Sequence, residues 1–340
     1  MIHQRLQSPD PAVRRVAVLD LPYCDEEDDV APLLVVALAD TDASVRLEAA
    51  KALEGFEEPE VLRALVPLLK DTDAAVREAT AATLGELKEP ASAAWVLPWV
   101  AEADPAVKAA ALRAVKALRV PEAFLPALAS LADGDATVRR EAVGVLGYLK
   151  DARAISALTE LAAHDAEAEV RRAAVGALGF AHDAAGLSVQ PALTRALADS
   201  AWQVREEAAT TLGKLGSAVA VVELVQALGD AYWQVRVKAA RSLGKLKARA
   251  GVPALCDALQ HAMSNLRKEA AIALGEIGDA RAITPLERAL ADTDPDVRKL
   301  AKLALTTLQM NGGAQPDPGF PGGLIPLGGT APQAPRGQSS

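Results

Sequence analysis

The sequence predicts an all-α fold: a solenoid of about ten stacked two-helix units over residues 1–310, then a disordered Gly/Pro-rich tail over 311–340. Three observations lead there. The 340 residues are 51% hydrophobic but only 3% aromatic, and 74 are alanine. Alanine is the strongest helix former and adds little bulk, whereas a β-sandwich or barrel needs β-branched and aromatic side chains. The second observation is a recurring dipeptide: Val13-Arg14, Val45-Arg46, Val76-Arg77, Val107-Lys108, Val138-Arg139, Val170-Arg171, Val204-Arg205, Val235-Arg236, Leu266-Arg267 and Val297-Arg298. Successive spacings run from 31 to 34 residues, with 31 the commonest, which is the signature of a stacked array. The third is an aspartate three residues before the valine in six units: Asp10, Asp42, Asp73, Asp104, Asp135 and Asp294. There its carboxylate can accept the first free backbone N–H groups of a helix.

Each unit explains itself locally. Pro11, Pro105 and Pro295 follow their aspartates at the first helical position, where the fixed φ of proline suits a helix start. The helix that begins there, helix B, carries apolar residues at one face, as Val235, Ala239, Leu243 and Leu246 do. Gly85, Gly147, Gly179, Gly213, Gly244 and Gly275 recur inside it. A glycine costs about 1 kcal/mol in a helix, so its recurrence points to backbones in close approach. A second apolar segment precedes each B helix, as at Val61–Leu69, Ile155–Leu161, Val219–Leu228 and Ile283–Leu290. This is helix A, capped by Asp151 and Asp279 in two units and bent or delayed near prolines 67, 98, 126, 253 and 285. Two such helices cannot bury their own apolar faces, but stacked units can. The first unit has room for only a partial helix A, and its N-terminal residues carry no apolar secretory core.

The strings D-x-x-V-R-x-x-A-x-x-x-L-G, such as Asp135 through Gly147, resemble the HEAT-repeat superfamily. More narrowly they resemble the short bacterial HEAT-like repeats of phycobilisome lyase subunits and their relatives, over about residues 1–310. The resemblance implies an α-solenoid and says little about activity, because the motif residues are the ones that build the repeat. Deoxyhypusine hydroxylase, an enzyme of similar repeats, holds a di-iron centre through His-Glu pairs. Here the four histidines are followed by Gln4, Asp165, Asp183 and Ala262, so that site is not expected. His164-Asp165 and His182-Asp183 read as surface polar residues. No bilin-handling residue can be matched, and no phosphate loop or dinucleotide fingerprint is present. No catalytic residue, metal or cofactor is therefore assigned. A bilin-lyase-like or other enzyme-accessory role is the first alternative reading.

Charge and length bound the partners. The net charge is −9, and residues 1–60 account for all of it, with 5 Lys/Arg against 14 Asp/Glu. The segment Asp25-Glu26-Glu27-Asp28-Asp29 reads as a solvated loop or an interaction surface. The apolar stretches Ala31–Ala39 and Ala91–Ala101 are too short to span a bilayer, and two cysteines match no ligand spacing, so a reduced cytoplasmic protein is expected. The tail holds eight glycines, six prolines and two charges, and contains the apolar run Phe320 through Leu327, either a docking motif or plain tail.

The pattern departs from itself in units seven to nine. The helix-B starts read Ala201-Trp202-Gln203-Val204-Arg205 and Tyr232-Trp233-Gln234-Val235-Arg236, without a capping aspartate. Trp202 and Trp233 occupy equivalent positions and should lie near each other on one rim. Lys238, Arg241 and Lys245 follow at i, i+3 and i+7, a stripe opposite the buried face. Glu207 and Glu269 flank Lys238 at equivalent positions, which leaves open a ladder of alternating charge between repeats. The recurrent arginine is expected to bond the capping aspartate of an adjacent unit. Trp202–Glu276 holds ten basic and seven acidic residues, a weak margin for nucleic acid, so a nucleic-acid-binding HEAT-like protein is the further alternative. The reading is a protein-binding scaffold, adaptor or maturation factor. Its anchors are Trp202, Tyr232, Trp233, Lys238, Arg241 and Lys245, which face an acidic patch of another protein.

Overall fold

Every Val-Arg unit resolves into a pair of helices. The computed structural model describes residues 2–23, 30–180, 186–216 and 220–312. The acidic segment Asp25–Asp29, His182-Asp183 and the apolar run of the tail lie outside the described residues. The first five units are α1 (Ile2–Leu6) with α2 (Pro11–Asp20), α3 (Ala31–Ala37) with α4 (Ala43–Ala52), α5 (Pro59–Leu65) with α6 (Ala74–Gly85), α7 (Ala93–Val96) with α8 (Pro105–Leu118), and α9 (Phe124–Ser130) with α10 (Ala136–Leu149). The next five are α11 (Ile155–His164) with α12 (Ala168–Ala177), α13 (Gly186–Ala196) with α14 (Trp202–Leu215), α15 (Val221–Ala227) with α16 (Trp233–Lys245), α17 (Val252–Ala258) with α18 (Ser264–Ile277), and α19 (Ile283–Ala289) with α20 (Pro295–Gly312). Even-numbered helices are the B helices, and each packs on the B helix before and after it. The described residues contain no strand.

The N-terminal pair has the short first helix that the sequence implies, and the last helix runs two residues past Met310. Proline breaks helix A at two of the five expected positions, while Pro126 and Pro285 lie inside uninterrupted α9 and α19 and Pro253 in the first turn of α17. At Pro67 and Pro98 the α-helix gives way to 3-10 turns, Val66–Lys70 and Leu97–Ala101. Asp151 and Asp279 do cap, but what they cap is a 3-10 turn, Ala152–Ala154 and Ala280–Ala282, that leads into α11 and α19.

One continuous core runs the length of the array, built from Val, Leu and Ala. The alanines allow close packing, and two glycine positions show how differently the motif can be used. A Cβ on Gly244 would lie 2.8 Å from the backbone Cα of Ala273 and 2.5 Å from Glu276 Oε2, so no side chain fits. A Cβ on Gly85 would meet nothing within 4 Å, so close approach does not explain that glycine. Buried hydroxyls add cross-unit bonds: Thr83 Oγ1 donates to Ala50 O at 2.9 Å and Ser242 Oγ to Ala209 O at 2.7 Å.

Candidate functional site

The surface is best read against a ladder of charge that ties unit to unit. The recurrent arginine does not bond the neighbouring capping aspartate. It reaches the acid two residues before that cap. Arg14 Nε and Nη2 donate to Asp40 Oδ2 and Oδ1, both at 2.7 Å, while Nη1 donates to Ser8 O at 2.9 Å in its own unit. Arg46–Asp71, Arg139–Asp165, Arg171–Asp199, Arg205–Asp230 and Arg267–Asp292 repeat this fork, and Lys108–Asp133 replaces it with a single ammonium contact. The same aspartates accept the backbone N–H of the cap residue, as Asp230 does from Tyr232 at 2.8 Å. One carboxylate thus shapes its own turn and holds the preceding unit. Bidentate pairing favours the ionised form, so the bonds from Arg14, Arg46, Arg205 and Arg267 hold Asp40, Asp71, Asp230 and Asp292 below the usual carboxylate range. The period of these aspartates was as plain in the sequence as that of the caps, and it is the signal that marks them.

The ladder fails at two seams. Between units three and four, Glu102 takes Lys70 at 2.5 Å, and Arg77 keeps only the carbonyls of Asp71 and Thr72. Between units eight and nine the acid is replaced by His261, whose Nδ1 accepts the Met263 N–H at 3.0 Å. Arg236 then donates only to carbonyls of its own turn, and its Nε is buried without a partner.

Caps fail in the same stretch. The carboxylates of Asp10, Asp42, Asp73, Asp104, Asp135 and Asp294 each accept a backbone N–H of the first helical turn. Glu167, Ala201, Tyr232 and Met263 at the same position make no side-chain cap, and of these only Glu167 is acidic. An acidic rim therefore gives way, over three consecutive helix starts, to an apolar one.

The six anticipated anchors separate here. Trp202 stacks on Tyr232, with centroids 5.5 Å apart and planes at 15°, and the Arg205 guanidinium lies 5.6 Å from the Tyr232 centroid. The ring partner of Trp202 is thus Tyr232 rather than Trp233, because the tyrosine stands at the seam the first indole covers. Trp202 is half-buried against the core, whereas Tyr232 is 46% and Trp233 42% exposed. In the basic stripe, Arg241 is spent on a bidentate pair with Glu269, at 2.7 and 2.8 Å, and Lys238 stands 3.9 Å from Glu206. The charge ladder between repeats is therefore real for Arg241 and, more loosely, for Lys238, whose partner is Glu206 rather than Glu207. Lys245 is exposed, with no ion pair among the described residues.

Other clusters on the described surface have structural uses. Asp165 is taken by Arg139, and His164 Nδ1 lies 3.0 Å from Glu160. A cleft of about 570 Å³ is lined by Glu54, Glu57, Glu58, Glu86 and Glu89, but Glu57 accepts the N–H groups of Lys88 and Glu89 and the hydroxyl of Ser92. Burial pushes the Cys256 thiol up, away from nucleophilic reactivity. Among the described residues no three His, Cys, Asp or Glu side chains form a ligand set, and no helix is long and apolar enough to cross a membrane.

Comparison with known proteins matches the HEAT-repeat family model to residues 1–69, 30–116, 93–179, 162–231 and 221–306. No match is found among curated protein sequences. Among solved structures, the chain resembles an engineered protein at 23% identity and TM-score 0.51, over 91% of this chain and 98% of that one. It resembles a chain of the Kap95p–RanGDP complex at 16% identity and TM-score 0.63, covering 90% of this chain and 49% of the other. YibA of E. coli is similar at 21% identity and TM-score 0.50, over 85% and 95%. At these identities the likeness establishes the fold.

Proposed function

We propose that this chain, which belongs to the HEAT-repeat family, is a scaffold or adaptor that binds another protein at the rim of units seven to nine. The observation that carries this reading is the exposed Trp233 beside the stacked Trp202–Tyr232 pair, on the stretch of rim where three acidic or capping residues are replaced by Ala201, Tyr232 and Met263. In six of the other seven units this position holds a capping aspartate, and a lost cap costs about 1 kcal/mol. Exposed aromatic rings are the residues most often found as binding anchors. Protein recognition is a known use of the fold: the similar Kap95p chain comes from a complex in which its binding changes the switch loops of RanGDP.

The anchor set sharpens to Trp233, Tyr232 and Lys245. Trp202 and Arg241 support them, the first by holding Tyr232 and the second by latching the seam. Lys245 and the looser Lys238 favour an acidic patch on the partner. Two cysteines without a ligand or disulfide spacing fit a reducing compartment, and we take the cytoplasm as the site of action.

The test is a surface variant, Trp233→Ala with Lys245→Glu, compared with the parent chain in affinity purification from the native cell and mass spectrometry. We expect the thermal midpoint to move by less than ~2 °C and one specific partner to be lost. Retention of every partner by the folded variant removes the rim from the interface. A tightly bound pigment or metal in the purified parent would instead favour the bilin-lyase-like or other enzymatic role.

A further inference from the structure

The last helix carries two apolar stripes, and only one is used by the array. Val297, Ala301, Ala304 and Leu308 are buried. Leu300, Leu303, Thr307 and Met310, at i, i+3, i+7 and i+10, form the second stripe, on which Leu303 is 63% and Met310 76% exposed. At positions equivalent to Leu300, Leu303 and Thr307 the three preceding B helices have Glu207, Thr210 and Lys214, then Lys238, Arg241 and Lys245, then Glu269, Ile272 and Glu276. At least two of the three are polar in each. Between α18 and α20 this stripe lines a groove of about 250 Å³ with Ile272, Gly275, Leu300, Leu303 and Thr307 on its walls and Glu276 at its edge.

A further stacked unit, from this chain or a second copy, is a poor occupant. Stacking uses the position that holds Val143, Val175, Ala209, Ala240 and Ala271, all buried, and in α20 that position is the exposed Lys302. Arg298, Lys299, Thr306 and Gln309 beside it are exposed as well, giving the polar outer face of a terminal unit. The apolar stripe points elsewhere and wants a short apolar segment.

The chain supplies one. Past Gly312 it continues for 28 residues, of which only Asp317 and Arg336 are charged, and Phe320-Pro321-Gly322-Gly323-Leu324-Ile325-Pro326-Leu327 is its apolar run. Seven residues separate Gly312 from Phe320, and the eight Cα-to-Cα steps span about 27 Å of extended chain. Leu300 lies ten residues back from Met310 along the helix, about 15 Å. The run therefore reaches the groove from its own helix end, at the high effective concentration of a short tether.

We propose that residues 320–327 dock in cis in the groove between α18 and α20, with Phe320, Leu324 and Ile325 covering Leu300, Leu303 and Met310. This surface is separate from the rim of units seven to nine and stands or falls without it. The test places a photo-crosslinking phenylalanine analogue, benzoylphenylalanine, at position 320 of the full chain. Irradiation at two protein concentrations tenfold apart is followed by peptide mapping. We expect crosslinks within one chain to peptides spanning 264–310, with a yield independent of concentration. Leu303→Asp and, independently, Leu324→Asp should each lower that yield roughly tenfold. Leu324 lies outside the array, so its variant cannot act by unfolding it. Crosslinked dimers that grow with concentration would assign the groove to a second copy and overturn the proposal, as would crosslinks confined to other units, no crosslinks, or a yield that neither variant lowers.

Discussion

Units five to seven and units eight to nine are built on the same plan and spend it differently. In the first group the rim arginines Arg139, Arg171 and Arg205 are all forked onto the next unit's aspartate. In the second, Arg236 has lost that partner to His261, and the helix starts, like those at Glu167 and Ala201 before them, have no side-chain cap. The bidentate bond of the eight–nine seam is instead Arg241–Glu269, on the other side of the B helix. In a repeat protein nearly every recurring residue serves the stack, so recurrence itself reports on architecture. What the chain does beyond stacking has to be sought where recurrence stops.

The contrast can be broken most severely at the ladder. Arg171 and Asp199 are both nearly buried, with 13% and 12% of their side chains exposed. Arg171→Ala strands that carboxylate and should cost about 2–4 kcal/mol in urea unfolding. Arg236→Ala removes a guanidinium with no carboxylate partner and should cost about 1 kcal/mol. Equal losses would mean that the eight–nine seam is not a true gap.

Glycine offers the next largest effect. Gly244→Ala drives a methyl into the Ala273 backbone and should destabilise by about 1–3 kcal/mol. Gly85→Ala meets open space and should stabilise by up to about 1 kcal/mol. The two variants have opposite signs, and chemical denaturation reads both.

Acid distinguishes the two regions in another way. Asp40, Asp71, Asp230 and Asp292 titrate lower folded than unfolded, chiefly through their arginine bonds. Their stabilisation is complete above the unfolded carboxylate value of about 4 and is lost as pH falls through the depressed folded values. The urea midpoint should therefore be flat from pH 7 to about 5 and fall steeply below about 4. His261→Asp should complete the missing rung, raise stability by about 1 kcal/mol at pH 7, and lose that gain on the same acid limb. If His261→Asp is neutral at pH 7, the orphaned Arg236 Nε does not face position 261 as its counterparts face their aspartates.

The smallest effect is expected on the rim itself. Trp233→Ala should change stability by no more than about 0.5 kcal/mol, whereas Trp202→Ala, which removes a ring packed against the core, should cost about 1–3 kcal/mol. Guanidinium unfolding of the two single variants separates an anchor from a support.

Much of this was legible in the sequence. Local signals with a fixed offset, such as Asp135 before Val138, specify helix starts, because cap and helix share the same few residues. Helix A was less legible: its prolines at 67 and 98 trade α for 3-10 geometry, and its boundaries move accordingly. The sequence does not single out the partner of the arginine, because two aspartates, such as Asp40 and Asp42, stand two residues apart and only geometry across the seam chooses between them. The same limit explains the rings. Equivalent positions put Trp202 and Trp233 one repeat apart, but the offset between neighbouring units brings Tyr232 under Trp202 instead. Helical periodicity puts Lys238, Arg241 and Lys245 in one stripe, yet it does not say which of their charges are already neutralised from the neighbouring helices.

The eight–nine seam is latched along one edge by Arg241 and Glu269 and carries no fork along the other, at Arg236 and His261. When a solenoid is stretched, its seams bear the load in series, and each opens about whichever edge is held harder. At this seam the held edge is the B-helix face and the free edge is the rim bearing Trp233 and Met263. In a single-molecule pulling experiment on the full chain, this seam should open from the rim edge, and His261→Asp should raise the force at which it does.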